Sequence, residues 1–201
     1  MWIKICGLTT PQAVDAALSA GVDAIGFVFA ASPRQVTPAE AARLAAPARG
    51  RVRCVAVTRH PDQSLIDEVM TVFGPDVLQT DAADLPSLRL PSQLEVLPVL
   101  RAGAAVPPRL PERLLFEGPT SGTGVPCDWS AARELACRAQ LVLAGGLSEA
   151  NVHAAIAEVR PFGVDVSSGV EDRPGLKSPE KIIHFVSAAR AAFRSFEEKT
   201  R

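Results

Sequence analysis

Ala24-Ile25-Gly26-Phe27-Val28-Phe29 is an unbroken apolar run with turn residues on either side. A strand with one face in water alternates polar and apolar residues. An unbroken run of this length reads instead as a strand covered on both faces, the habit of parallel sheets. The flanking sequence supplies helices. Before the run, Thr10 is an N-cap and Pro11 the first helical residue, Val14, Ala17 and Leu18 share a face, and Gly21 ends the helix. After it, Thr37-Pro38-x-Glu40 is a capping box that opens a second helix reaching about Ala46.

The alternation continues along the chain. Further strands are expected at 52–57, 77–79, 95–100, 113–117, 140–144 and 162–166, with a first strand at 2–5. One helix should run from Asp62 to Phe73, with Leu65, Ile66, Val69, Met70 and Phe73 on one face and Gly74 as its stop. Others are expected from Trp129 to Cys137, from Ser148 to about Val159, and from Ser178 to roughly Phe196. Only a proline-broken helix fits near Leu85, and the three prolines between Ala102 and Pro111 leave room for at most one turn. Eight alternations with doubly apolar strands predict a closed parallel (β/α)8 TIM barrel. It would form a single domain over residues 1–201, with shortened helices after strands four and five. The competing architecture, an open doubly wound sheet, carries a glycine fingerprint after its first strand, and Gly7-Leu8-Thr9 is not one.

A net charge of -1 gives no reason to expect nucleic acid or an anionic membrane as partner. The longest apolar run is too short to cross a bilayer, and no basic segment with an apolar core precedes Trp2, so no signal peptide is expected. Cys6, Cys54, Cys127 and Cys137 form no Cys-x-x-Cys pair, and the histidines are scattered. A metal site is therefore not expected, and a reduced cytoplasmic setting is. Cys54 reads as core, Cys127 and Cys137 as structural.

In a barrel the chemistry sits where strands end. Those positions hold Cys6, Ser32-Pro33-Arg34, Thr58-Arg59-His60, Gln79-Thr80-Asp81 and Glu117, then Gly145-Gly146 and Ser167-Ser168-Gly169. The last two loops offer unhindered backbone N–H groups near helix starts, suited to phosphate; otherwise their glycines only make tight turns. Cys6 is either a small buried hydrophobe or a reactive thiol.

Several segments then resemble, in order, one family. They are Lys4-Ile5-Cys6-Gly7, Gly26-Phe27-Val28-Phe29 with Ser32-Pro33-Arg34, and Gly122-Thr123-Gly124 with Asp128-Trp129. Ala144-Gly145-Gly146-Leu147 with Asn151-Val152 follows, and then the long run from Gly163 to Glu171 with Pro174-Gly175. Together they resemble the phosphoribosylanthranilate isomerases of tryptophan biosynthesis, from residue 4 to about 178. The resemblance implies a cytosolic, cofactor-free barrel catalysing an Amadori rearrangement of N-(5-phosphoribosyl)anthranilate. It implies Cys6 as general base and Glu117 as general acid. It places Arg34 on the anthranilate carboxylate, Asp165 at the substrate, and phosphate on Gly145, Gly146, Ser167, Ser168 and Gly169. Strand periodicity puts Lys4 on the face of Cys6 and Asp165 on the face of Ser167, so Lys4 and Asp165 should meet inside the barrel below Cys6. A free thiol has a pKa near ~8.5, so Cys6 needs help, for which Lys4 is a candidate.

The chain departs from the family in two places. Glu117 stands where the family has Asp, adding a methylene to the acid. Gln79-Thr80-Asp81-Ala82 replaces Gln-Leu-His-Gly, which removes a histidine beside the anthranilate ring. His60 reads as a loop or capping residue. Alternatives are a sugar-phosphate-binding barrel with altered or lost catalysis, or an isomerase of another aminated ribose phosphate. Relatives imply either a monomer or a homodimer.

Overall fold

The computed structural model describes residues 1–119 and 127–199, without the side chains of 196–199. The Gly122-Thr123-Gly124 motif and the Phe196 side chain therefore lie outside the described residues. Strands β1 (Trp2–Cys6), β2 (Ala24–Val28), β3 (Arg53–Val57) and β4 (Val77–Asp81) pair in order. With β5 (Glu95–Arg101), β6 (Arg113–Glu117), β7 (Gln140–Leu143) and β8 (Gly163–Val166) they close into a parallel barrel. The ring shuts where β8 pairs β1, with Lys4 opposite Asp165.

The helices start where their caps put them. Helix α1 (Pro11–Ala20) begins with the Thr10 side chain accepting from the Ala13 N–H and ends at Gly21 in the left-handed region. Helix α2 (Pro38–Ala45) opens on the Thr37–Glu40 capping box. The helix expected up to Phe73 is instead α3 (Gln63–Glu68) followed by a π turn over Val69–Phe73. Phe73 at its end packs edge-on against Phe27, with ring centroids 5.4 Å apart. After β4 there is only a three-residue 3₁₀ turn, Leu85–Ser87, and between β5 and β6 the described chain forms no helix. Helices α4 (Trp129–Ala136), α5 (Glu149–Val159) and α6 (Pro179–Lys199) complete the outer wall. One element was not expected: a hairpin of β9 (Glu171–Arg173) and β10 (Leu176–Lys177) between β8 and α6.

Strand parity divides the core. Ile3, Ile5, Ile25, Phe27, Cys54, Leu78, Phe116 and Val164 point outward and are buried under the helices. Residues of the other parity, Ala24, Val55, Val77, Leu97, Val99, Leu115 and Val142, fill the barrel with apolar groups. The inward parity continues upward into Cys6, Gln79, Asp81, Arg101 and Glu117, so the interior changes from apolar to charged toward the C-terminal ends of the strands. Strands β4 and β5 run on to Asp81 and Arg101, past the expected ends at Gln79 and Leu100. No helix among the described residues is long and apolar enough to cross a membrane.

Candidate active site

Lys4 is fully buried and donates to Asp165 Oδ1 at 2.9 Å, the pairing expected from periodicity. Burial works against its charge, but Asp165 and Cys6 outweigh it and hold the ammonium above its ordinary pKa. Cys6 lies directly above. Gly26 opposite it makes the arrangement possible: a Cβ there would sit 3.0 Å from Lys4 Cε and 3.2 Å from Cys6 Sγ. Burial lifts the Cys6 thiol above its ordinary range; Lys4 pulls it down, Asp165 pushes it up, and Lys177 pulls it down. The sequence offered Lys4 as a candidate to lower the thiol pKa, offset by Asp165, and both act on Cys6 in those directions. Lys177 was missed.

Lys177 reaches the site through the unexpected hairpin. Its Nζ donates to Glu171 Oε1 at 2.6 Å and to the carbonyl and hydroxyl oxygens of Ser167 at 3.1 and 3.2 Å. Burial lowers its pKa, opposed by Glu171 and Cys6. Glu171 in turn holds Arg34 with both carboxylate oxygens, Nε to Oε1 at 2.8 Å and Nη2 to Oε2 at 2.9 Å. Burial opposes the Glu171 charge, yet Arg34 and Lys177 keep its pKa below the usual carboxylate value. Two glycines make room for this assembly. A Cβ on Gly7 would meet Arg34 Cδ at 2.6 Å, and one on Gly175 would meet the Pro33 carbonyl at 2.3 Å. Both glycines have positive φ. Glu171 was visible only as part of a motif; its partnership with Arg34 required the hairpin.

Glu117 ends β6, with β7 and β8 between it and β1. Arg101 stands opposite it in register and ion-pairs with Glu117 Oε1 through Nη1 at 2.8 Å. The other arm of the same guanidinium, Nη2, reaches Asp81 Oδ1 at 2.7 Å. Asp81 thus faces an arginine of the protein. Behind it His60, in the left-handed region, accepts the role of a turn residue: its backbone N–H and its ring both bond Asp84. His60, Asp81 and Asp84 lie within 4.8 Å of one another, but Arg101 and Arg59 already place positive charge beside Asp81. The cluster is an ion-pair network.

Loops seven and eight are locked together. A Cβ on Gly169 would fall 1.9 Å from the Leu147 carbonyl, and one on Gly145 would fall 3.1 Å from the Gly118 nitrogen. Asn151 fixes the first of these loops, accepting from the Ser148 N–H and donating to the Gly146 carbonyl, each at 2.8 Å. Among the described residues, the backbone N–H groups of Gly146, Ser168 and Gly169 meet no protein acceptor. A groove of 540 Å³ lined by Asp15, Val36, Arg43 and Leu44 reaches the contact between Pro33 and Gly175, but Cys6, Arg34, Lys177 and Glu117 are not among its lining residues. Cys54 and Cys127 are buried and Cys137 is exposed.

Residues 3–188 match the model of the N-(5'-phosphoribosyl)anthranilate isomerase family. The N-(5'-phosphoribosyl)anthranilate isomerase of Chelativorans sp. (strain BNC1) is 40% identical over 216 residues, covering 94% of this chain and 96% of its own. TrpF from Jonesia denitrificans superposes with a TM-score of 0.81 at 36% identity, over 96% of this chain and 98% of that one. A phosphoribosyl anthranilate isomerase solved in complex with reduced 1-(o-carboxyphenylamino)-1-deoxyribulose 5-phosphate superposes with a TM-score of 0.75 at 29% identity, over 95% and 99%. With a matching family model across nearly its whole length and full-length relatives at this identity, the chain belongs to the N-(5'-phosphoribosyl)anthranilate isomerase family.

Proposed function

We propose that Cys6 and Glu117 carry the proton transfers of this isomerase. The enzyme converts N-(5-phosphoribosyl)anthranilate into 1-(2-carboxyphenylamino)-1-deoxyribulose 5-phosphate in tryptophan biosynthesis. Glu117 gives its proton to the furanose ring oxygen as the C1–O bond breaks, and the anthranilate nitrogen lone pair forms the C1=N bond. The Cys6 thiolate then takes the C2 proton. The C2–H electron pair becomes C1=C2, the nitrogen recovers its pair, and the resulting enol tautomerises to the ketone as C1 gains a proton. An acid and a base on separate strands of one barrel mouth suit this sequence.

The observation that carries the reading is the Cys6 thiol set against Lys4 in the space left by Gly26. A buried thiol with two ammonium groups acting on it has a route to the thiolate that an ordinary core cysteine lacks. Glu171 occupies Nε and one Nη2 hydrogen of Arg34, which leaves Nη1 for the anthranilate carboxylate. Asp165, with Oδ1 on Lys4, turns its other oxygen to the substrate. The N–H groups of loops seven and eight receive the phosphate. Residues 1–201 act as one cytoplasmic domain, as monomer or homodimer, without a cofactor.

The test is turnover of freshly made phosphoribosylanthranilate, followed by loss of its fluorescence. Cys6→Ser and Glu117→Gln should each lower kcat by roughly 10²–10⁴-fold. A wild type no faster than both variants sinks the assignment.

A further inference from the structure

Glu117 poses a physical problem as an acid. A carboxylate beside a guanidinium is held ionised, its pKa typically pulled down by about 1–3 units, whereas an acid must carry a proton. The structure resolves the conflict through a third residue. We propose that Asp81, acting through Arg101, is a positioning residue that sets the proton affinity of Glu117, and that Arg101 fixes where the Glu117 carboxyl points. The inference rests on Glu117 being the acid.

The argument is one of charge and geometry. Asp81, Arg101 and Glu117 end the adjacent strands β4, β5 and β6 and face inward. Their side chains are only 11%, 17% and 13% exposed, so water screens them weakly. One guanidinium serves two carboxylates, with 2.7 Å to Asp81 and 2.8 Å to Glu117. With both ionised the triad carries a charge of about −1, counting full unit charges, and a proton on Glu117 makes it neutral. Without Asp81 the pair would be neutral when ionised, and protonation would strand a positive charge. Asp81 therefore favours the protonated acid.

Among the described residues, the other titratable groups near the triad do not replace this effect. Cys127, close enough to feel Glu117, is a neutral thiol whose pKa burial pushes up to about 11. Arg59 and His60 approach Asp81 at 4.0 and 3.9 Å from exposed positions, where solvent weakens them. Across the mouth, Lys4 pairs with Asp165, and Lys177 and Arg34 share Glu171. Arg101 also addresses the added methylene. By holding Oε1 it removes rotational freedom from the longer side chain.

The experiment is the pH profile of kcat/KM for wild type, Asp81→Asn, Asp81→Glu, Arg101→Gln and Glu117→Gln, over the range in which circular dichroism is unchanged. The productive form has Cys6 as thiolate and Glu117 protonated, although the thiol is the weaker acid. Its abundance across neutral pH follows the difference between the two pKa values, and the low-pH limb follows Glu117. Asp81→Asn should lower the plateau about 10-fold or more and move the low-pH limb down by the matching number of units, about one per 10-fold. Asp81→Glu should restore both. Arg101→Gln should move the limb upward, an opposite sign that keeps the test decisive if Asp81→Asn folds poorly. A plateau that falls in Asp81→Asn with the limb unmoved overturns the inference. If Glu117→Gln keeps wild-type activity and the same limb, the fault lies in the choice of Glu117 as acid, and the inference falls with it.

Discussion

Lys4 shows at the scale of one residue how stability and catalysis are joined. It is wholly buried, and its ammonium holds Asp165 at 2.9 Å while lying against the Cys6 thiol. Lys4→Met keeps the volume and leaves a buried carboxylate alone. It should cost about 3–5 kcal/mol, read by urea unfolding. The same change removes a cation that lowers the Cys6 pKa, so the high-pH limb of the rate profile, which follows the thiol, should move further up. A variant with unaltered unfolding would show that the pair contributes nothing to the fold. The pairing was legible in the sequence because strand parity is rigid: Lys4 and Cys6 share a face, and closing an eight-strand ring makes β1 and β8 neighbours. Arg101 was not. An expected strand end at Leu100 stopped one residue short of the register partner of Glu117, and no local pattern marks where a strand yields to a loop.

The hairpin of β9 and β10 carries the lesson at the scale of elements. Its strands have three and two residues, mostly charged, so no alternation announces them. Yet it brings Glu171 and Lys177 to the mouth of the barrel and clamps Arg34. The main strands and helices were readable for the opposite reason, since their caps and apolar faces are local. Thr10, Thr37 and Gly21 each act at the position their chemistry suggests. The hairpin makes stability depend on pH. The Glu171 pKa is lower in the folded chain than in the unfolded one, so its contribution is full above the unfolded value of roughly 4.3. It is lost as pH falls through the folded value. Glu171→Gln should therefore flatten the acid side of a plot of Tm against pH from 6 to 3, relative to wild type. An unchanged slope would show that the clamp is not coupled to folding.

At the scale of the whole molecule, the barrel has an apolar lower interior and a charged mouth, and the ring closes with loops seven and eight in backbone contact. That contact makes a prediction. Gly169→Ala would drive a methyl into the Leu147 carbonyl, parting two loops proposed to share one phosphate. The expected result is a KM raised about 10-fold with kcat nearly unchanged, the pattern of lost uniform binding. Competitive inhibition by inorganic phosphate should weaken in parallel, and a variant with wild-type KM would remove phosphate from these loops.

The glycine at position 169 also bears on how this protein can change over generations. Because its backbone lies against Leu147, an insertion or bulkier residue in either loop must be answered in the other. Neither loop can drift alone. The Arg34 loop is tied to the same block, because Glu171 holds its guanidinium and Gly175 lies against the Pro33 carbonyl, whereas Asp81 is met by the side chains of Arg101, Arg59 and His60. New substrate preferences in this lineage should therefore arise by single steps on the side of Asp81, while the Gly145, Gly169 and Arg34 loops are inherited as one piece.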